Sequence, residues 1–152
     1  MIVYQLARPL LAAVFVWGGV ETLRNPEPRV KAAGPFLEKA LDTVKDSLPD
    51  QVPTDPTTLV RLDAAVKIVA GLGLAVGRFP RLSALVLAAS MVPTTMAGHP
   101  YWEHEDPAVR AAQQTHFMKN LSLIGGLLAT AAAPSRDKRG RKSQRATKKN
   151  AR

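Results

Sequence analysis

His116-Phe117-Met118-Lys119-Asn120-Leu121-Ser122-Leu123-Ile124-Gly125-Gly126-Leu127-Leu128 sets a cation and an amide inside an otherwise apolar helical run. At about 100° per residue, Lys119 shares a face with His116, Ser122, Gly126 and Ala133, so the charge falls on the side that carries the smallest side chains. In lipid, Gly, Ala and Ser let helix backbones approach closely, and a Lys is tolerated where a partner or a wet cavity receives it. Lys119 is therefore expected to face into a bundle, with Ser122 on the helix contact. The rival reading is a soluble helix whose Lys119 snorkels to water.

Three more apolar runs accompany this one. The first, Ile2 to Leu23, is about 33 Å long as a helix, enough to cross a hydrocarbon core. A secretory signal peptide has the same basic start and apolar run, but the exit Gly18-Gly19-Val20-Glu21 lacks a small-x-small cleavage pattern. A retained helix is the better fit. Asn25-Pro26-Glu27-Pro28 is expected to stop it. The second run, Leu59 to Gly77, carries Asp63 and Lys67 one turn apart on a face that continues through Ala70, Leu74 and Gly77. Acid and base at that spacing neutralise each other and lower the cost of entering low dielectric. The third, Leu82 to Gly98, aligns Ser83, Ser90 and Thr94 and contains Pro93, a candidate kink. The fourth begins at Asp106-Pro107, a good cap and first-turn pair, and ends at Ala133-Pro134.

The fold class that follows is all-α: a bundle of four transmembrane helices at about 2–24, 58–77, 81–98 and 107–133. Between the first two lies a polar insert, 25–57. In it Leu37, Leu41, Val44 and Leu48 recur at helical spacing, with Pro35 expected in the first turn and Pro49 at the end. This amphipathic helix would lie flat on the bundle as a lid or on the membrane surface. The helical domain occupies 1–133, and 134–152 is a basic tail too polar to fold.

Charge orients the bundle. The chain has 152 residues and a net charge of +9, but residues 135–152 hold nine basic residues against one acid, leaving the body with 12 basic and 11 acidic groups. A near-neutral body argues against a nucleic-acid-binding domain, which spreads Lys and Arg over a folded face. Four crossings place both termini on one side, and the basic tail makes that side cytoplasmic, near anionic headgroups. Arg78 and Arg81 then fall inside, with the insert and the loop Gly98-His99-Pro100-Tyr101-Trp102-Glu103-His104-Glu105-Asp106 outside. No cysteine is present, so this chain carries no disulfide and no thiol redox chemistry of its own.

In that topology Glu21, Asp63, Lys67, His99, His116, Lys119 and Asn120 share a depth and are candidates for one outward-facing ligand-binding pocket. The alternative is an ion-pair network that only sets helix register. A metal site is not expected, because His99, His104 and His116 with Glu103, Glu105 and Asp106 match no strong ligand spacing. No catalytic residue is assigned, and no Gly-x-Ser-x-Gly turn exists to present a serine nucleophile.

Arg8-Pro9-Leu10-Leu11 with Phe15 and Gly18, Gly77-Arg78-Phe79-Pro80-Arg81, Val92-Pro93-Thr94-Thr95, Gly98-His99-Pro100-Tyr101-Trp102, Asp106-Pro107 and His116-Phe117-Met118-Lys119-Asn120-Leu121 together resemble the DoxX family of small four-helix membrane proteins, in particular its actinobacterial branch. The resemblance implies a bacterial plasma-membrane, multi-pass protein. It also implies redox association: relatives include subunits linked to quinone-coupled thiosulfate oxidation and complexes with superoxide dismutase and a thiol-handling partner. The leading expectation is a non-catalytic membrane subunit or scaffold of a redox-related complex, in contact with membrane lipids, a redox protein partner or a second copy of itself. The alternative is a subunit whose pocket binds quinone or another small molecule. No cofactor is required by either.

Overall fold

The structure, a computed structural model, describes residues 2–44 and 53–133, with side chains described for 6–43 and 53–133. Leu48 and Pro49 of the insert and the basic tail lie outside the described residues. Among those described there are five α-helices, no strand, and one turn of 3-10 helix at Tyr101–Glu103.

Helix α1 (Ile2–Arg24) ends where Asn25-Pro26 removes a donor, and α2 (Glu27–Val44) starts two residues later. This corrects the expected start. Pro28 sits in the first turn, where a missing N–H costs no hydrogen bond, and Pro35 lies inside the helix rather than at its beginning. Helix α3 (Pro56–Val76) is capped by Asp55, whose carboxylate accepts from the Thr58 amide at 2.8 Å and the Thr58 hydroxyl at 2.9 Å. At its far end Gly77 adopts φ 77°, and Gly77 and Arg78 donate back to Leu74 and Gly73. This left-handed cap suits the one residue without a Cβ. Phe79 is also left-handed, at φ 57°, and α4 (Pro80–Gly98) begins at the next residue with Pro93 in its interior. Helix α5 (Pro107–Ala132) is capped by Asp106, which accepts from the amides of Ala108 and Val109.

The helices follow one another around the bundle as α1, α3, α4, α5, with α2 laid across α3 and α4. The closest pairing is α1 on α3. A Cβ at Gly19 would stand 2.8 Å from the Ala64 carbonyl oxygen and 2.7 Å from Ile68 Cγ1, so glycine is what lets these backbones meet. The core gathers toward the Gly77 turn: Ala12 and Phe15, Ala70 and Leu74, Ala84, Leu87, Ala88 and Met91, and Leu127. Arg81 Nη2 donates to the Ala133 carbonyl oxygen at 2.7 Å, holding the end of α5 beside the start of α4.

Two stretches are long and apolar enough to cross a membrane, Leu6–Arg24 and Pro80–Glu103. Helices α3 and α5 have the length, at roughly 31 and 39 Å, but carry ionised residues along their course. What those residues touch explains why a helix so charged sits in a bundle of this kind.

Candidate functional site

Asp63 and Lys67 lie on the α3 face that continues into the core through Ala70 and Leu74, which is the face the residue spacing indicated. Lys67 Nζ donates to Asp63 Oδ2 at 2.5 Å and to Thr94 Oγ1 of α4 at 2.7 Å. Ser90 of α4 donates its hydroxyl to the other carboxylate oxygen of Asp63. Thr94 in turn donates to the Ser90 carbonyl. The aligned hydroxyls of α4 therefore complete the ion pair of α3. A buried pair is tolerated when its remaining hydrogen-bonding capacity is met in this way. The Lys67 side chain is 12% exposed and that of Asp63 is 37% exposed.

What they are exposed to is a cavity of about 360 Å³. Its apolar wall includes Phe15, Phe36, Leu37, Met91 and Leu123, and its polar residues include Asp63, Lys67, Thr94, His99 and Asn120. Helix α2 supplies Arg29, Ala32 and Ala33 as well as Phe36 and Leu37, so the apolar side of the insert forms part of the cavity wall. Asn120 donates to Thr95 Oγ1 at 3.1 Å across the α4–α5 contact. His99 Nδ1 lies 2.7 Å from Gln113 Oε1, the distance of a hydrogen bond between ring and amide.

Of the seven candidates, Asp63, Lys67, His99 and Asn120 line the cavity. His116 does not, although its ring stacks on that of His99 with centroids 5.1 Å apart. Glu21 of α1 is exposed and does not line the cavity. Lys119 is exposed as well, and so is Ser122, which donates only to the Met118 carbonyl of its own helix. The expected inward Lys119 is thus corrected: it lies on an open flank of α5 with Ala111, Thr115 and Ser122. The packing of α5 runs instead through Asn120, which reaches Thr95 of α4, and through Ile124 and Leu127 at the core, while Gly126 of the expected face meets Leu11 of α1. Residue spacing alone missed Thr95 and Gln113 as partners, and missed the contribution of α2 to the wall.

Near the His99 end, Tyr101, Trp102 and Phe117 form an edge-to-face cluster with centroid distances of 5.0 to 5.9 Å. Among the described residues, no group of three or more His, Asp and Glu side chains is placed to hold a metal ion.

Comparison with the curated proteins and with the solved structures finds no match. The DoxX family model matches residues 3–100, from the start of α1 through α4 and the loop as far as Pro100. With that span covering most of the described helices, the chain belongs to the DoxX family, a family of membrane proteins.

Proposed function

We propose that the chain crosses the bilayer four times, through α1, α3, α4 and α5, with both termini cytoplasmic and α2 on the outer side, and that its cavity binds a small lipid-soluble molecule. The observation that carries this reading is the Lys67–Asp63 pair at the wall of an otherwise largely apolar cavity. Lys67 has three N–H groups and gives two of them to Asp63 and Thr94, so a third can reach an acceptor oxygen of a ligand. Convergent polar groups in an apolar pocket of this size are the usual form of a small-molecule site. A quinone fits that description, with Lys67 as the donor to a carbonyl oxygen, and would place the protein as a subunit of a redox-related complex in a bacterial plasma membrane.

Charge supports the sidedness. Arg78 and Arg81 lie at the turn between α3 and α4, and the basic tail follows α5 at the same end, where it would meet anionic headgroups. A second reading, a non-catalytic scaffold on which a redox partner or another copy docks, is favoured by the exposed Thr115, Lys119 and Ser122 on α5. Polar groups facing lipid are costly, and a docked helix would cover them.

Purification in mild detergent, solvent extraction and mass spectrometry test the first reading. The expected result is a bound prenyl quinone or similar molecule retained by the native chain and lost in Lys67→Met, while Lys119→Ala keeps it. Equal retention in Lys67→Met ends the reading. For the scaffold, a stoichiometric partner should accompany the native chain and dissociate from Lys119→Ala, and a chain that purifies alone under the same conditions counts against it.

A further inference from the structure

The entrance to the cavity can be read from the way α1 and α5 meet. Their contact is slight. It includes Leu11, whose Cδ1 lies 3.8 Å from where a Cβ on Gly126 would stand. Following α1 away from the Gly77 turn, the positions within about 20° of Leu11 are Gly18 and Thr22, and both line the cavity. Following α5 the same way from Gly126, the corresponding flank carries Leu123, another lining residue, and then the exposed Lys119. Gly18 has no side chain to fill the space between the two helices, and a Cβ placed there meets nothing within 4 Å. Val14, one turn below Gly18, lines the cavity and is nonetheless 47% exposed. One side chain thus belongs both to the cavity wall and to the outer surface of the bundle.

Depth decides what that surface faces. Arg8 packs at the Gly77 turn, where a Cβ on Gly77 would stand 2.9 Å from Arg8 Nη1. Gly18 is ten residues further along α1, or about 15 Å, and lies about 5 Å from the centre of the apolar stretch Leu6–Arg24, well inside a hydrocarbon core of about 30 Å. A gap at that height opens on acyl chains.

Resting on the four-span, small-molecule reading above, we propose that the cavity is loaded sideways from the bilayer, through the gap between α1 and α5 at Gly18, by a membrane-dissolved amphiphile with an acceptor-oxygen head. The head sits at Lys67 and Asn120. The first part of its tail lies against Phe15 and Met91, and the remainder leaves past Gly18 into lipid. The cavity volume, about 360 Å³, is at the small end of ligand sites, which suits a ligand only partly enclosed. A water-borne ligand would gain nothing from an opening within the hydrocarbon.

The chain has no cysteine, so one introduced residue gives a unique label. Gly18→Cys, where the structure leaves room for a bimane, is compared with Leu10→Cys, a position 75% exposed on the outer side of α1. Each is reconstituted in phosphatidylcholine vesicles with and without acyl-brominated phosphatidylcholine, and each is titrated with iodide. The expected result is a loss of emission to the brominated lipid at Gly18→Cys comparable to that at Leu10→Cys, with little loss to iodide. Quenching at Gly18→Cys by iodide and not by brominated lipid overturns lateral entry and leaves the small-molecule reading standing. Protection from both quenchers overturns it too.

A second variant separates the two ideas. Gly18→Leu adds bulk at a position where a Cβ meets nothing within 4 Å and should lower the amount of co-purifying amphiphile by about tenfold or more, corresponding to roughly 1.4 kcal/mol. Mass spectrometry of the extract distinguishes a prenyl quinone from a fatty acid or phospholipid as its source. If Gly18→Leu retains its amphiphile in full while Lys67→Met loses it, the loading route past Gly18 falls and the small-molecule reading stands; full retention in both variants removes both.

Discussion

The two ends of this bundle are built from the same four long helices on opposite principles. Toward the Gly77 turn, small and apolar residues from α1, α3, α4 and α5 close into a continuous core, with Leu74, Leu87 and Leu127 fully buried. Toward His99, the same helices separate around a cavity and hold an ion pair, two hydroxyls and an amide. The neighbouring glycines 18 and 19 mark the difference within one turn of helix: Gly19 is pressed against α3, and Gly18 looks into open space. Stability is concentrated at one end, which leaves the other free to carry polar groups and empty volume that a packed core could not accommodate.

The sharpest way to break that contrast is to enlarge the two glycines in turn. Gly19→Leu drives a side chain into the backbone of Ala64 and should destabilise by about 3 kcal/mol or more, since overpacking typically costs about 1–3 kcal/mol and backbone yields less than side chain. Gly18→Leu should leave the unfolding midpoint in a sodium dodecyl sulfate titration nearly unchanged. Similar losses in both variants would mean that the cavity side is packed after all. The next effect concerns the ion pair. Lys67→Met alone strands the Asp63 carboxylate and should cost about 2 kcal/mol, less than the roughly 3–5 kcal/mol of a fully buried pair because Asp63 remains partly exposed. The double variant Asp63→Asn with Lys67→Met should recover most of that loss, and a double-mutant cycle with no coupling would remove the pair as a unit.

The smallest effect lies at the start of α3. The Thr58 amide, its hydroxyl, the Thr57 amide and Arg61 all hold the Asp55 carboxyl below its ordinary value of 3.8. A depressed folded value means that the cap contributes in full above 3.8 and is lost as pH falls through the lower folded value. Protection of the Thr58 and Leu59 amides, taken against their intrinsic exchange rates at each pH, should therefore fall on acidification below 3.8, and Asp55→Asn should flatten that response. An unchanged acid response in Asp55→Asn would assign the sensitivity to another carboxylate.

Much of this architecture can be read from local chemistry. Asp106-Pro107, Gly77 and Asn25-Pro26 fall at the expected helix boundaries because each supplies or removes a particular backbone hydrogen bond, whereas α3 starts at Pro56, two residues before the expected 58, behind an Asp55 cap that its place in a proline-rich insert obscures. The Asp63–Lys67 pairing follows from a spacing of four, and the alignment of Ser90 and Thr94 from the same period. The start of α2 is not legible, because Pro28 reads as part of a stop although it costs no bond in a first turn, and Pro35 reads as a breaker until tertiary contacts with α3 and α4 offset its lost bond. The facing of α5 was misjudged for a related reason. Its small residues suggest a contact face, but which face packs depends on the neighbour it meets, and that neighbour presents Thr95 to Asn120. A helical projection contains no information about what stands opposite.

The hydrogen bond from Arg81 to the Ala133 carbonyl, just past α5, has a mechanical consequence. A helix end clamped to its neighbour does not fray alone, so a pull on the polypeptide after residue 133 is borne by the first turn of α4 as well as by α5. Whatever grips the segment that follows would thereby have a handle on two helices at once, one of which holds the hydroxyls that bond Asp63 and Lys67.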